Sequence, residues 1–456
     1  MSESVKIVGA GLCGSLMSIY LARRGYTVDL FEARGDLRKE TLPAGRSINL
    51  ALANRGLRAL GEVGLGEQVR KLLTVMRGRM IHDEAGKTEF QAYGQRPWEV
   101  IYSVSRPGLN ALLLDAAENE HGVRIHFRHP CQAIDLESDR LVLLDETSEE
   151  PLELPLTTTI AADGAGSVIR QALETAARVE SRTDWLEHAY KELTIPPSSV
   201  DHWRIEPHAL HIWPRGGYML IALPNLDHSF TVTLFLPTHG EPGFDQLDTP
   251  EAAGRFFDAS FPDTRALIPD LEKAFFVNPV APLGTVRCAP WNVGGQVCLI
   301  GDAAHAIVPF HGQGMNAAFE DCLELDRHLE TSNGNFEEAF RRFSESRKPS
   351  ADAIADMALE NYVEMRDSVR DPAFLLRKAV AFELERRSPE RFVPRYSMVM
   401  FRSDVSYAEA QRRGAIQGLI LDQITHGQSS LEDCDMDAAD VLVHTSLEPL
   451  PPASTP

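Results

Sequence analysis

Two glycine-containing segments, far apart in the chain, carry the residue types best suited to chemistry. The first is a Gly-x-Gly-x-x-Gly pattern, formed by Gly9, Gly11 and Gly14, directly after an apolar run. The second is an apolar run that ends in Gly301-Asp302 and leads into a helical pattern. In the first pattern the glycines permit a tight turn, a close approach of the backbone to a pyrophosphate and close helix–strand packing. The segment therefore predicts a nucleotide phosphate at a helix N-terminus.

The distance between the two segments indicates the length of the nucleotide. Glu32 ends a second apolar run, where a carboxylate accepts hydrogen bonds from ribose hydroxyls and repels a 2′-phosphate. FAD extends beyond its ADP half, so a later segment must receive the ribityl chain and the flavin ring, and Asp302 is placed to do so. A helix that begins near Gly314 would direct its positive end at the flavin pyrimidine. Together the segments predict tightly bound FAD rather than NAD.

Composition narrows the class of protein. The formal net charge of −21 excludes nucleic acid as a partner, because its phosphates would be repelled. No apolar run is long enough to predict a membrane span, and the N-terminus lacks a secretory signal, so we expect a cytoplasmic protein. The six cysteines contain no Cys-x-x-Cys pair, which predicts reduced thiols and no metal site.

The order of predicted elements indicates an α/β fold. Strand, turn and helix patterns at both ends of the first two thirds predict a Rossmann-type FAD-binding domain. Short strands between them predict a β-rich substrate domain that interrupts it, and the remainder is a helical C-terminal region that covers the active site. The predicted boundaries are 1–184 and 287–350 for the two parts of the FAD-binding domain, 185–286 for the β-rich domain, 351–447 for the helical region and 448–456 for a disordered tail.

Three motifs occur in a recognisable order: the glycine pattern at residue 9, Asp163-Gly164 and Gly301-Asp302. In this order they resemble those of the single-component, class A FAD-dependent aromatic hydroxylases. Within that family the chain is most similar, over almost its whole length, to the members that act on L-kynurenine. The similarity is strongest in segments 45–52, 76–82, 210–215, 221–225, 308–316 and 360–365.

The resemblance implies a monooxygenase reaction. NADPH reduces FAD, O2 adds to flavin C4a, and the hydroperoxide transfers oxygen to ring carbon 3 of L-kynurenine, a step of tryptophan degradation that leads to quinolinate and NAD. In such enzymes the cofactor supplies the oxygen chemistry, while the protein supplies orientation and a dry pocket. The aniline already donates electron density to the reacting carbon, so no residue is nominated as an acid or base. The implied partner is this small molecule, bound by a monomer or homodimer.

An acidic protein needs a localised cation to hold the α-carboxylate of kynurenine, and an arginine can do so in bidentate form. The resemblance implies that Arg79 and Tyr93 bind this carboxylate and that Asn361 and Tyr396 complete the amino-acid end. Phe310 and His311 would flank the ring near the flavin. Asn361 and Met365 stand four apart on a predicted helix and share a face. The implied substrate-binding residues are Arg79, Tyr93, Asn361, Tyr396, Phe310, His311 and Met365.

The resemblance also implies a set of cofactor-binding residues. Within it, the Arg106 guanidinium could reach a phosphate or the ring linker, whereas apolar packing explains Cys131 and Val168 equally well. The chain has no second Rossmann unit for NADPH, so we expect transient surface binding to which Asp163-Gly164 could contribute. The implied positions are Gly9, Gly11, Cys13, Gly14, Phe31, Glu32, Ala33, Arg34, Ala51, Arg106, Cys131, Val168, Asp302, Met315 and Asn316.

Other interpretations remain open at this point. Arg77 and Arg79 alternate as in a strand and would also fit a surface ion pair. A related hydroxylase could act on a phenolic acid such as a hydroxybenzoate, although Arg79 with Asn361 favours an amino-acid ligand. A flavin halogenase would need a Trp-x-Trp-x-x-Pro run, which the sequence lacks. A flavin-binding redox sensor without turnover is the remaining alternative, and a helical region that covers a pocket speaks against it.

Overall fold

The computed structural model describes residues 3–40, 49–198, 202–368 and 371–452. The strands are β1 (Ser4–Val8), β2 (Thr27–Glu32), β3 (Asn49–Leu52), β4 (Leu73–Met76), β5 (Gly78–His82), β6 (Thr88–Ala92), β7 (Ile101–Ser105), β8 (Arg124–Phe127), β9 (Cys131–Asp135), β10 (Arg140–Asp145), β11 (Glu150–Pro155), β12 (Thr159–Ala161), β13 (Glu180–Ile195), β14 (Ala209–Pro214), β15 (Met219–Pro224), β16 (Phe230–Pro237), β17 (Val280–Ala289), β18 (Asn292–Val293) and β19 (Val297–Leu299).

The helices are α1 (Leu12–Arg23), α2 (Asn54–Glu62), α3 (Gly66–Arg70), α4 (Arg106–Asp115), α5 (Val168–Thr175), α6 (Pro250–Ser260), α7 (Pro262–Arg265), α8 (Leu271–Val277), α9 (Asp302–His305), α10 (Gly314–Thr331), α11 (Phe336–Val363), α12 (Pro372–Arg387), α13 (Arg395–Phe401), α14 (Tyr407–Thr425) and α15 (Met436–Ser446). A π-helical turn, Glu364–Ser368, extends α11. Across the described ranges, none of these helices is long and apolar enough to cross a membrane.

A six-stranded sheet forms the centre of the nucleotide-binding part, in the order β18-β19-β12-β1-β2-β8. Its strands run parallel except for β18, and β1, β12 and β19 are almost fully buried, as expected for a sheet covered on both faces. The glycine pattern joins β1 to α1. Gly9 has a φ of +101°, and a Cβ there would lie 2.4 Å from the carbonyl oxygen of Ala162, so only glycine fits. The predicted α/β fold class and the strand–turn–helix at the N-terminus are confirmed.

A seven-stranded sheet carries the second half of the site, in the order β17-β13-β16-β15-β14-β5-β6. All its pairs are antiparallel except β14 with β5. One face packs against α6, α7 and α8 through a core that contains Trp213, Phe230 and Phe257. The opposite face is partly covered by the end of α11, where Ile212, Phe235 and Tyr362 meet. Alternation along each strand therefore gives the sheet one buried face and one face that can line a site.

The predicted domain boundaries do not coincide with breaks in this architecture. The boundary at residue 185 falls inside β13, and the boundary at residue 286 falls inside β17. In addition, β5 and β6, which belong to the first predicted segment, form one end of the seven-stranded sheet. Both strands continue across the predicted boundaries because they pair with each other on both sides of a register shift between Trp185 and Ala189: Glu180 lies opposite Ala289, and Lys191 lies opposite Val280.

The helical C-terminal region packs on α11 through α14. The predicted disorder from residue 448 is wrong for the residues just after α15. There Arg413 donates a hydrogen bond to the Glu448 carbonyl at 2.9 Å, the Leu450 amide donates to the Glu390 carbonyl at 2.6 Å, and Leu450 is buried. Residues 453–456, and residues 45–48 of one resembling segment, lie outside the described residues.

Candidate functional site

A cavity of about 710 Å³ lies between the two sheets. Its walls come from the turn between β1 and α1, the segment from α9 to the start of α10, the open face of the seven-stranded sheet, the end of α11, and α13. This volume is at the upper part of the range for ligand pockets in proteins. The cavity is therefore large enough for an extended ligand or for two ligands in contact.

All seven predicted substrate-binding residues line this cavity. They come from four separate parts of the chain: the β5–β6 hairpin, a short helical turn, the end of α11 with its π-helical extension, and α13. Arg79 is on β5 and Tyr93 directly follows β6; Phe310 and His311 form a short helical turn after α9; Asn361 and Met365 are at the end of α11; and Tyr396 is on α13.

Arg79 is buried in the cavity wall, with 7% of its surface exposed. Its Nη1 atom donates a hydrogen bond to Glu364 Oε1 at 3.1 Å, and its guanidinium carbon lies 5.1 Å from the centre of the Tyr396 ring. The alternative of a surface ion pair is therefore wrong for Arg79. A buried cation costs free energy unless it is paired, and Glu364 supplies the pairing here.

Stacked rings form the wall beside Arg79. Tyr93 stacks on Tyr396 with 5.6 Å between ring centres, and Tyr396 stacks on His311 with 5.4 Å between ring centres. Burial lowers the pKa of His311 to about 3 and raises the pKa of Tyr396 to about 12. All three rings are therefore neutral around pH 7, because burial likewise raises the pKa of Tyr93 well above its usual range.

Asn361 fixes the backbone of the turn beneath the cavity. Its Nδ2 atom donates to the Phe310 carbonyl at 2.6 Å, and the Met365 sulfur lies 3.3 Å from the same nitrogen. The Phe310 ring stacks on Tyr362 with 3.9 Å between centres. Asn361 thus holds the Phe310–His311 turn while it also faces the cavity.

Six of the predicted cofactor residues line the same cavity: Gly11, Cys13, Ala51, Arg106, Asp302 and Met315. Of these, Ala51 packs in the same cluster as Tyr93 and Tyr396. Glu32 and Arg34 line a small separate pocket beside the first turn. There the Glu32 carboxylate accepts hydrogen bonds from the Ala10 amide at 2.9 Å and the Arg34 amide at 3.0 Å, and it pairs with the Arg34 Nε at 2.6 Å. Glu32 is therefore at the position where a ribose would meet the end of β2.

The other predicted cofactor residues do not line either pocket: Gly9, Gly14, Phe31, Ala33, Cys131, Val168 and Asn316. Asn316 is wholly buried, accepts a hydrogen bond from the Ala53 amide at 2.8 Å and donates to the Ala51 carbonyl at 2.9 Å, so it positions Ala51 instead. Phe31 is buried and stacks on His126 with 4.7 Å between centres. Gly9 and Gly14 allow the backbone of the turn to pack closely on itself: a Cβ on Gly14 would lie 1.9 Å from the Gly9 carbonyl oxygen.

The cofactor end fits a dinucleotide that carries a pyrophosphate. A Cβ on Gly11 would have no atom within 4 Å, so the backbone at the start of α1 faces open cavity. Both α1 and α10 begin without a side-chain cap, so their first amide groups are free to bind a ligand. Both helices thus direct uncapped positive ends at the cavity or its rim, which is the arrangement that phosphates and a reduced flavin favour.

Sequence reasoning missed two carboxylates, one that pairs with a residue of the cavity wall and one in the wall itself. Glu364 pairs with Arg79, and Glu192 lines the wall on β13. Glu364 stands three residues after Asn361, and this helical spacing on one face was the signal that could have found it. No motif surrounds Glu192, which alternation along β13 places on the cavity face.

Comparisons with known proteins agree with this geometry. The sequence matches the family described as FAD binding domain over residues 2–358. It is 50% identical over 447 residues to a kynurenine 3-monooxygenase of Myxococcus xanthus (strain DK1622), which covers 98% of this chain and 96% of the relative. It is 47% identical over 446 residues to a kynurenine 3-monooxygenase of Stenotrophomonas maltophilia (strain K279a), which covers 98% of this chain and 97% of the relative.

Solved structures share the fold. The tetrameric form of 2-methyl-3-hydroxypyridine-5-carboxylic acid oxygenase superposes with a TM-score of 0.65 at 20% identity, over 82% of this chain and 95% of that chain. Pseudomonas aeruginosa PqsL in complex with 2-aminobenzoylacetate superposes with a TM-score of 0.62 at 19% identity, over 80% of this chain and 97% of that chain. At such identities the likeness concerns the fold alone.

Proposed function

The chain belongs to the kynurenine 3-monooxygenase family of FAD-dependent hydroxylases, and on that basis we propose that it uses NADPH and O2 to convert L-kynurenine into 3-hydroxy-L-kynurenine. The observation that carries this proposal is the buried Arg79, paired with the partly exposed Glu364, in the wall of a cavity that also includes the turn between β1 and α1, here called the dinucleotide turn. When bound there, FAD would supply the activation of oxygen. The product would enter the synthesis of quinolinate and NAD.

The Arg79–Glu364 pair suits a zwitterion. An incoming α-carboxylate would take the guanidinium of Arg79 in a charge-assisted, bidentate contact, and the α-ammonium would face the carboxylate of Glu364. The ligand carboxylate then takes the place of Glu364 beside Arg79, and the ligand ammonium takes the place of Arg79 beside Glu364. Binding therefore leaves neither side chain with an unpaired charge. A simple aromatic acid offers no ammonium for Glu364, which speaks against the hydroxybenzoate alternative.

The rest of the cavity suits a neutral aromatic amine. Leu210, Ile221 and Phe235 give the open face of the sheet an apolar surface. Phe310 packs on Phe235 with 4.9 Å between ring centres, and His311 continues the wall beside it. His311 is uncharged in the neutral range, so the ring site as a whole carries no charge. Such walls orient the ring, exclude water and leave the electron-rich aniline unprotonated, which the oxygen transfer requires.

We infer the docking site of NADPH from the residues at the rim of the cavity. Gly164, Ala165 and Gly166 line it next to the dinucleotide turn, and Asp163 anchors this loop by accepting a hydrogen bond from the Ile169 amide at 3.3 Å. A coenzyme that binds transiently at this loop would approach the cofactor end of the cavity from solvent.

The test is NADPH oxidation by the FAD-loaded protein with L-kynurenine, with 4-hydroxybenzoate and with neither. We expect L-kynurenine to stimulate oxidation and 3-hydroxykynurenine to appear in the product mixture. Stimulation by 4-hydroxybenzoate with no response to L-kynurenine would favour the phenolic-acid alternative. Oxidation that neither compound changes would contradict the proposed activity.

A further inference from the structure

Glu192 is a buried carboxyl group in the cavity wall to which the proposed reaction has so far given no role. It lies on β13, is 4% exposed and lines the cavity together with Tyr190, two residues before it, and Thr233, opposite it on β16. Its Oε2 atom is buried and has no hydrogen-bond partner in the described part of the chain. An unpaired buried polar atom is costly, and a catalytic role is one of the reasons why a protein contains such an atom.

Glu192 lies at the cofactor end of the cavity and not at the amino-acid end. Three strands, β16, β15 and β14, separate β13 from β5, on which Arg79 lies. Four strand spacings correspond to roughly 19 Å, which exceeds the length of a kynurenine molecule held at Arg79. The charged side chain that faces Glu192 is instead Arg106, the first residue of α4, which also lines the cavity.

The surroundings of Glu192 offer little to stabilise its charge. On β16 its neighbour is Thr233; on β17 the residues opposite the preceding part of β13, Val280 to Pro282, do not ionise. Lys191 points to the other face, where its ammonium donates to the carbonyls of Phe275 and Asn278. Among the described residues, Arg106 is the one cation that acts on it, and burial outweighs this effect and raises the pKa of Glu192 to about 7.

The other ionisable groups of the cavity whose pKa is displaced titrate far from neutrality. Burial lowers the pKa of His311 to about 3 and raises the pKa of Tyr396 to about 12. Arg79 keeps its charge because it pairs with Glu364. Glu192 thus combines a free oxygen, a position on the cavity wall and exchange of a proton in the neutral range.

We propose that Glu192 holds and exchanges the proton that each turnover needs at the cofactor end of the cavity. This inference rests on the proposed function, in which L-kynurenine, O2, NADPH and one proton give 3-hydroxykynurenine, NADP⁺ and water. One oxygen atom enters the ring C–H bond and the other leaves as water, with two electrons supplied by NADPH as hydride. The proton must pass from solvent to the reacting atoms, and the unpaired Glu192 oxygen can accept it at the cavity wall and release it inside.

The variant Glu192→Gln keeps the shape of the side chain and cannot titrate. We expect the wild-type kcat to change with a midpoint near pH 7 and the variant to lose this change, with kcat lowered roughly tenfold to a hundredfold. The KM for L-kynurenine should change little, because the amino-acid end is distant. Glu192→Asp should keep a titration at a shifted pH, and Thr233→Val, which alters the neighbouring polar group without removing an ionisable one, should keep the wild-type midpoint.

A second measurement does not depend on turnover. Infrared difference spectra of the FAD-loaded protein across the neutral pH range should show a protonated carboxyl C=O band that disappears as pH rises and is missing in Glu192→Gln. If the wild type forms no 3-hydroxykynurenine, the proposed function fails, while this band still decides whether Glu192 holds the proton. A wild type without the band, or a Glu192→Gln variant with the wild-type pH profile, overturns the inference.

Discussion

Replacing Arg79 by alanine tests how the cavity recognises an amino acid. The substitution removes the buried guanidinium and leaves Glu364 without the partner that lies 3.1 Å away. Loss of a charged hydrogen-bond partner at a buried site costs about 2–4 kcal/mol of binding free energy. At 1.4 kcal/mol per factor of ten, this corresponds to a Kd for L-kynurenine raised by about 30-fold to about 700-fold.

The measurement is a titration of the FAD-loaded protein with L-kynurenine, followed by the change in flavin absorbance. FAD content should equal that of the wild type, because Arg79 lies at the opposite end of the cavity from the dinucleotide turn. The matched control is the double variant Arg79→Ala/Glu364→Gln. Because Glu364 faces the ligand ammonium and also pairs with Arg79, the loss in the double variant should be smaller than the sum of the losses measured for Arg79→Ala and for Glu364→Gln alone, which is a coupling between the two side chains. An unchanged Kd in Arg79→Ala, or two losses that simply add, would refute the paired-charge recognition.

Three further outcomes follow from the contacts. Gly14→Ala should yield protein that retains no FAD after purification, because a Cβ would lie 1.9 Å from the Gly9 carbonyl oxygen; a flavin content equal to wild type would contradict this. Burial raises the pKa of Glu192 from 4.5 to about 7, so the contribution of its protonated form to stability is complete below pH 4.5 and is lost as pH rises through 7. In urea unfolding, wild type should therefore lose free energy of unfolding relative to Glu192→Gln between pH 4.5 and 7. Wild type and variant curves of stability against pH that run parallel would refute this. Arg55→Met should lower the free energy of unfolding by about 1.5–3 kcal/mol, because the buried Glu320 loses one of its two arginine partners and keeps Arg347 at 2.7 Å. It should also raise the KM for L-kynurenine, because α13 loses the hydrogen bond from Arg55 to the Val399 carbonyl; an unchanged melting temperature would count against this anchor.

The dinucleotide turn could be predicted because its signals are local. Gly9, Gly11 and Gly14 occupy positions that any residue with a Cβ would block or fill, and the apolar run before them is a strand buried in a parallel sheet. The α/β class follows from the same pattern, since strand and helix periods alternate along this part of the chain.

Boundaries and tertiary partners could not be predicted in this way. Nothing in the sequence of β13 or β17 marks the place where each leaves one layer and joins another, because pairing along their length is a property of both strands together. Glu364 meets Arg79 across 285 residues of sequence, and Glu192 lies within an ordinary strand pattern. Their positions depend on how the layers pack, which no single segment encodes.

The implied cofactor residues fall into two groups, those whose position a local motif predicts and those whose role depends on packing. Cys13 and Asp302 lie directly at the motif turns and face the cavity, whereas Asn316 holds the backbone of Ala51 and Phe31 packs on His126. A resemblance transfers positions in a sequence, but only the packing decides which of two adjacent side chains reaches the ligand and which one positions its neighbour.

The most direct measurement of the proposed oxygen transfer is turnover under ¹⁸O2. The FAD-loaded protein is supplied with NADPH and L-kynurenine, and the product is analysed by mass spectrometry. The account predicts 3-hydroxykynurenine that carries one ¹⁸O atom in its new hydroxyl group. Product that carries oxygen from water, or NADPH consumed with no hydroxylated product at all, would contradict it.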